Sequence, residues 1–268
     1  MKVPSFDFGR NWEAFSLATV DQQRLDAAVA SLDASLGPDA LKDRTVLDMG
    51  CGSGLFSIAA SLSGASRVLG VDINQKCIDV SAKNFQRFAT PTATAPDFMT
   101  GSALDSPFMS NLGEFDVVYA WGSLHHTGEM WTAIRNVAAR VKRPDGRFVV
   151  ALYNRHWSCR IWWHIKRLYN VSPRFVQGLM NYAFGAVIYL AKLIVTRQNP
   201  MKKERGMDFW FDIVDWLGGY PFEYASEAEV VDFMKELGFS LAKCVPPAVP
   251  TGCNEFVFDT TQAKPARD

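Results

Sequence analysis

A surplus of charge of one sign is missing from this chain. Its 268 residues carry 28 Lys and Arg against 28 Asp and Glu, a formal net charge of zero. A neutral chain sets up no global field to gather a phosphate backbone, so nucleic acid is not expected as a partner. Paired cysteines are missing as well. Cys51, Cys77, Cys159, Cys244 and Cys253 make no CxxC spacing and are odd in number. This argues against a disulfide framework or a cysteine metal site, and predicts reduced thiols in a cytoplasmic protein without metal. The opening residues, MKVPSFDFGRNWEAF, place Asp7, Arg10 and Glu13 where a signal peptide needs an apolar stretch and a cleavage site. Long apolar runs are also scarce. The longest, Leu179 to Val195, is broken by Asn181, Gly185 and Lys192, and it barely reaches the ~17 residues that span a bilayer. A buried or interfacial helix is expected there. What is present is ordinary globular stock, 48% hydrophobic and 21% charged, in a chain sized for one core with an elaboration.

Periodicity along the chain alternates between helix and strand. Leu17 to Leu36 has helical spacing, Thr45 to Met49 is a short apolar strand, and Leu55 to Leu62 resumes the helical period after a glycine turn. Arg67 to Ile73 reads as a second buried strand and Gln75 to Phe88 as a helix. Asp97 to Ser102 gives a weak strand, Phe115 to Ala120 a strong one, Glu129 to Val141 a helix and Arg147 to Tyr153 another strand. About fifty aromatic and basic residues with helical periods then interrupt the rhythm. It resumes with a helix over Ser226 to Leu237, opened by the capping-box pair Ser226 and Glu229, and with strands at Phe239 to Val245 and Glu255 to Phe258. The pattern predicts an α/β fold: a Rossmann-like, seven-stranded, mostly parallel sheet with helices on both faces and a helical cap inserted after strand five.

The chemistry concentrates where the first strand ends. Gly50, Gly52 and Gly54, with Cys51 between them, form a loop whose backbone can approach a ligand closely. A dinucleotide pyrophosphate on the following helix is one reading. The spacing is G-x-G-x-G, however, and Asp48 precedes it. That negative charge is awkward for a pyrophosphate and welcome beside a sulfonium amino acid. Asp72, closing the second strand, can accept from two ribose hydroxyls, and Ile73 offers an apolar face to adenine. Together these residues favour S-adenosyl-L-methionine (SAM), with S-adenosyl-L-homocysteine (SAH) as product, over NAD.

VLDMGCGSG (46–54), VDIN (71–74), GSALD (101–105) and FDVVYAWGSLHHTG (115–128) resemble the class I SAM-dependent methyltransferases over about Thr45 to Tyr153. The resemblance implies that the glycine loop wraps the methionine and ribose, that Asp72 holds the ribose diol, and that Ser102 and Ala103 flank the adenine, with Trp121 also at the cofactor. Ser102 stands where many members carry an aspartate. FGRNW (8–12), RGMDFW (205–210), DWLGGYPFE (215–223) and GCNEFVF (252–258) are similar to a bacterial subgroup near the ubiquinone-type and small-molecule methyltransferases. On that resemblance Arg10 and Trp12 belong to a lid over the cofactor; a plain docking segment is the other reading.

His125 and His126 follow the fourth strand, where ligands meet the carboxyl ends of parallel strands. Either can take the acceptor's proton or bind the acceptor, or both can simply close the turn. Tyr153, Arg205, Asp215 and Tyr220 are the candidate acceptor-binding residues, and mixed charges near 205–223 equally suit an ion-pair network. The interrupting stretch combines aromatics such as Trp157, Trp162 and Tyr182 with Arg155, Arg160, Lys166, Arg167 and Arg174. It suits a substrate pocket, a peripheral membrane contact through residues 155–200, or helix packing in a lid or homodimer. The expected divisions are a lid and docking helix (1–44), a SAM-binding core (45–154), a cap (155–224), a completing helix and strands (225–260) and a tail (261–268). The expected activity is methyl transfer to an oxygen or sulfur nucleophile of a small molecule, with tRNA modification or a non-catalytic SAM-binding module as the competing readings.

Overall fold

A computed structural model describes residues 21–88, 90, 93–197 and 209–261. Arg10, Trp12, Arg205 and residues 262–268 lie outside the described residues. The elements run α1 (Gln22–Leu36), β1 (Thr45–Met49), α2 (Leu55–Leu62), β2 (Arg67–Asp72), α3 (Gln75–Phe88), β3 (Asp97–Thr100), α4 (Ser106–Asn111) and β4 (Val117–Trp121). A 3-10 turn (Leu124–His126), α5 (Met130–Ala138) and β5 (Arg147–Tyr153) follow, then α6 (Cys159–Val171), α7 (Arg174–Thr196), α8 (Phe209–Gly218), α9 (Glu227–Glu236), β6 (Phe239–Val245) and β7 (Cys253–Thr260).

The seven strands form one sheet in the order β3-β2-β1-β4-β5-β7-β6. β1 to β5 are parallel, and β7 runs antiparallel to both β5 and β6. Leu47 pairs with Leu69 on one side and Val118 on the other, so β1 is central and must be apolar on both faces. Alternate residues serve two cores. Leu47, Leu69, Val118 and Phe148 point to the face covered by α5 and α9, where Ile134 and Met234 pack. Val46, Val68, Val117 and Val149 point to the opposite face, against Leu25 and Leu32 of α1 and Ile58 of α2. This three-layer arrangement is what buried parallel strands require. The helices between β5 and α9 have their own cluster of Tyr169, Phe209, Ile213 and Leu217.

Local signals account for most boundaries. Asp21 caps α1 by accepting from Arg24 N at 3.0 Å, and Ser226 and Glu229 form the expected capping box of α9. β4 starts at Val117 rather than Phe115, because Phe115 pairs with Val141 in an isolated bridge. α4, which periodicity misses, is a six-residue helix capped by Asp105. Among the described residues no helix is long and apolar enough to cross a membrane. The chain passes from β3 at one edge back over β1 to β4, so the strand order reverses between β1 and β4, where parallel α/β sheets take ligands at the strands' carboxyl ends.

Candidate active site

Gly50, Gly52 and Gly54 have φ of +81°, +55° and +76°, the left-handed region that disfavours side chains. Contact enforces the choice. A Cβ on Gly50 would lie 2.3 Å from Ser123 Cβ, and one on Gly54 would lie 2.7 Å from Ser81 Cβ. Backbone bonds from Gly50 N (2.7 Å) and Cys51 N (3.0 Å) to the Val71 carbonyl tie the loop to β2. The Cys51 thiol is buried and pushed well above its ordinary pKa, first by burial and then by the charges of Asp48 and Asp72. Its contribution is therefore backbone, not nucleophilic sulfur.

Asp48 is buried on β1, and the Ser57 hydroxyl donates to its Oδ2 at 2.6 Å. Burial pushes its carboxyl up to about 7, the Ser57 bond opposes that rise, and Asp72 adds to it. Asp72 closes β2, where its Oδ2 accepts from Gly52 N at 3.1 Å and its Oδ1 from Asn74 N at 2.9 Å. Its pKa is raised by burial, against those backbone donors. Beside it Ile73 is 74% exposed. Gly101 N donates to the Asp72 carbonyl at 2.9 Å, which brings the loop holding Ser102 and Ala103 alongside. The Ser102 hydroxyl accepts from Leu104 N, whereas the Ala103 methyl is buried in the core and its carbonyl accepts from Asn136. A glycine backbone without Cβ atoms, a carboxylate at a strand end and an exposed apolar side chain next to it suit an adenosyl amino acid. A carboxylate oxygen can accept more than one hydrogen bond, so Asp72 suits a pair of hydroxyls.

Trp121, partly exposed, ends β4. Two residues on, Ser123 Oγ donates to the Met49 carbonyl at 2.8 Å, so the turn holding both histidines lies directly against the glycine loop. The His125 ring is buried and stacks 4.0 Å from that of Tyr153. Burial, together with the charges of His126 and Lys166, holds its pKa well below the histidine range, opposed by a bond to the Ala151 carbonyl. His125 Nδ1 is buried without a hydrogen-bond partner. His126 Nδ1 lies 2.7 Å from the Pro221 carbonyl; a carbonyl only accepts, so Nδ1 donates and Nε2 is the acceptor of the neutral ring. Its pKa falls to about 3, lowered by burial, raised by the Pro221 bond and lowered by Lys166.

The helices after β5 complete this cluster. Tyr153 meets Trp216 at 5.4 Å and Phe222 at 5.0 Å between ring centroids. Lys166, which the sequence groups with surface charges, is instead fully buried. Its Nζ donates to the Trp216 carbonyl and lies 4.2 Å over the Trp216 ring and 4.8 Å over that of Phe222. Glu223 caps α5 by accepting from Met130 N with both oxygens at 3.1 Å, and its own N–H donates to the His125 carbonyl. Burial raises its pKa. A Cβ on Gly219 would lie 2.7 Å from His126 Cε1, so the turn after α8 must be bare there. Asp215 and Tyr220 flank that turn: the Asp215 carbonyl accepts from Gly219 N, and the Tyr220 ring lies 6.1 Å from Trp163. Thus His125, His126 and Tyr153 come together beside the glycine loop, joined by Lys166 of the aromatic and basic stretch and by Ser123, Trp216 and Phe222, which sequence reasoning did not single out. Trp216 and Phe222 fall inside a quoted motif; nothing in the sequence signals the burial of Lys166.

Comparison with known proteins fits this geometry. Residues 47–150 match the family described as Methyltransferase domain. The chain is 34% identical over 105 residues to the 27-O-demethylrifamycin SV methyltransferase of Amycolatopsis mediterranei, covering 39% of this chain and 37% of that relative. It is 31% identical over 131 residues to the ribosomal protein L11 methyltransferase of Burkholderia mallei, covering 44% of this chain and 39% of the relative. The chain thus spans well under half the length of these two relatives. The magnesium protoporphyrin IX methyltransferase of Synechocystis PCC 6803, crystallised with bound SAH, shares the fold at TM-score 0.54 and 20% identity, over 90% of this chain and 83% of that one. Residues 47–150 thus form a methyltransferase domain, and the sheet order and glycine loop are those of the class I SAM-dependent methyltransferase fold.

Proposed function

We propose that this chain transfers the methyl group of SAM to an oxygen or sulfur nucleophile of a small-molecule acceptor. The observation that carries the reading is the aromatic and imidazole cluster of His125, His126, Tyr153, Trp216 and Phe222, joined to the glycine loop through Ser123. When bound, SAM would supply an activated methyl on a cationic sulfur, and its transfer to the nucleophile would leave SAH and release the acceptor's proton. Asp72 and the glycine loop seat the cofactor, and Ile73, Ser102 and Trp121 border it. Residues 155–224 act as the cap that selects the acceptor, with Tyr153, Asp215 and Tyr220 at its margin. The Amycolatopsis relative, named for an oxygen position, supports an oxygen acceptor.

The two imidazoles also narrow the acceptor. Both are held neutral by burial, His126 at about 3, so they accept hydrogen bonds but are weak bases. An ordinary alcohol gains little from such a base. A phenol, carboxylic acid or thiol ionises more readily, and the pocket needs only to align it and exclude water. The test is to incubate purified protein with labelled SAM and a pool of phenols, carboxylic acids, thiols, sugars and quinone precursors, and to identify the product by mass. A methylated phenol, carboxylate or thiol is expected. Its pH–rate profile should follow the acceptor's own ionisation, with no inflection near the ordinary histidine value of about 6.5. Methylation of tRNA alone, or SAM retention without transfer to any acceptor, would overturn the reading.

A further inference from the structure

α7 is a 23-residue helix, about 34 Å long, with two apolar faces. Its inner face is accounted for: Met180, Phe184, Ile188 and Tyr189 pack around the cluster of Tyr169, Phe209 and Ile213. Gly185 lets that face close, because a Cβ there would lie 2.7 Å from the Trp210 ring. Among the described residues nothing covers the outer face. Phe175, Leu179, Tyr182 and Ile194 are 70% or more exposed, and Val187 and Leu190 are more than half exposed. α6 repeats the pattern on a smaller scale, with Ile161, Leu168 and Val171 exposed on its outer side. A row of large exposed apolar side chains along a whole helix marks an interaction surface.

Charge indicates the partner. The chain as a whole is neutral, yet residues 155–197 contain Arg155, Arg160, Lys166, Arg167, Arg174, Lys192 and Arg197 and no Asp or Glu. Lys166 is buried, and Arg155 is paired with Glu229 at 2.7 Å. Arg160, Arg167, Arg174 and Arg197 are exposed and, among the described residues, make no ion pair. Arg160 and Arg167 stand beside Ile161 and Leu168 on α6, and Arg174 and Arg197 bracket the exposed row of α7. A second copy docked on this face would oppose arginine to arginine with no carboxylate between them. A phosphate backbone would satisfy the arginines but leave the apolar row in water. An anionic bilayer satisfies both, with apolar side chains at the acyl boundary and guanidinium groups among the headgroups.

We propose that α6 and α7 form a docking surface for an anionic lipid membrane, with α7 lying in the plane of the interface. The proposal does not rest on the acceptor's identity. It is tested by flotation of the full chain with vesicles of phosphatidylcholine alone and of phosphatidylcholine mixed with phosphatidylglycerol. Binding is expected only with phosphatidylglycerol, and weaker in high salt. Replacing Arg160, Arg167 and Arg174 with Gln should lower partitioning about fivefold per residue. Leu179→Gln with Leu190→Gln should lower it at any salt concentration. SAM affinity unchanged in both variants would report an intact fold. Failure of the wild-type chain to bind anionic vesicles would overturn the proposal, as would binding that neither variant weakens. A solution dimer that Leu179→Gln dissociates, without vesicle binding, would assign the face to a second copy instead.

Discussion

Asp48 is a buried carboxylate that the fold tolerates at a cost, and replacing it separates stability from function. Its pKa is about 7 in the folded protein against 3.8 for the free side chain. A raised carboxyl pKa means that between those values the unfolded chain binds fewer protons than the folded one, so stability falls as pH rises from about 4 to about 7 and then levels off. A shift of about three units, at about 1.4 kcal/mol each, amounts to about 4 kcal/mol at full ionisation. Asp48→Asn removes that penalty and keeps an acceptor for Ser57. The ligand-free variant should therefore be more stable than wild type by up to about 4 kcal/mol above pH 7, and by nearly nothing near pH 4. Urea unfolding across that range reads the difference directly. The same variant should lose the preference for cationic SAM over neutral SAH. In wild type that preference should grow as pH passes about 7, where Asp48 becomes charged. A stability gap independent of pH, or a variant less stable than wild type at pH 8, would refute the account of this carboxylate.

Gly50→Ala should destabilise the fold by at least about 2 kcal/mol, from the left-handed φ and the contact with Ser123, and should abolish SAM binding. Adding Ser123→Gly should recover part of the stability in urea unfolding, because the steric part is then relieved. Gly219→Ala presses on His126 and should raise KM for the acceptor severalfold while calorimetry finds SAM affinity unchanged. Burial chiefly depresses both imidazoles and the Lys166 cation adds to it, so Lys166→Met should raise the His126 pKa only modestly from about 3 in an NMR titration.

The core was legible because parallel strands buried on both faces leave short apolar runs, and because Gly50, Gly52 and Gly54 serve a turn only bare backbone can make. The capping box at Ser226 and Glu229 was legible for the same local reason. α4 was not, since six residues are too few for a period to register. The histidine and aromatic cluster was legible only in part. The histidines stood out by type and place, but what fixes their ionisation comes from afar: Pro221 reaches His126 across 95 residues, and Lys166 is drawn under Trp216 by packing. A lysine in an aromatic, basic stretch reads as a surface charge until the fold encloses it.

The central claim, that Asp72 and the glycine loop seat an adenosyl sulfonium, is tested most directly by calorimetric titration of wild-type, Asp72→Asn and Asp72→Ala proteins with SAM, SAH and NADH. The account predicts binding of SAM and SAH to wild type, no binding of NADH, and a loss of about tenfold or more for both ligands in each variant, the worth of a hydrogen bond to a charged group. NADH bound more tightly than SAM, or SAM and SAH held undiminished by the Asp72 variants, would contradict it.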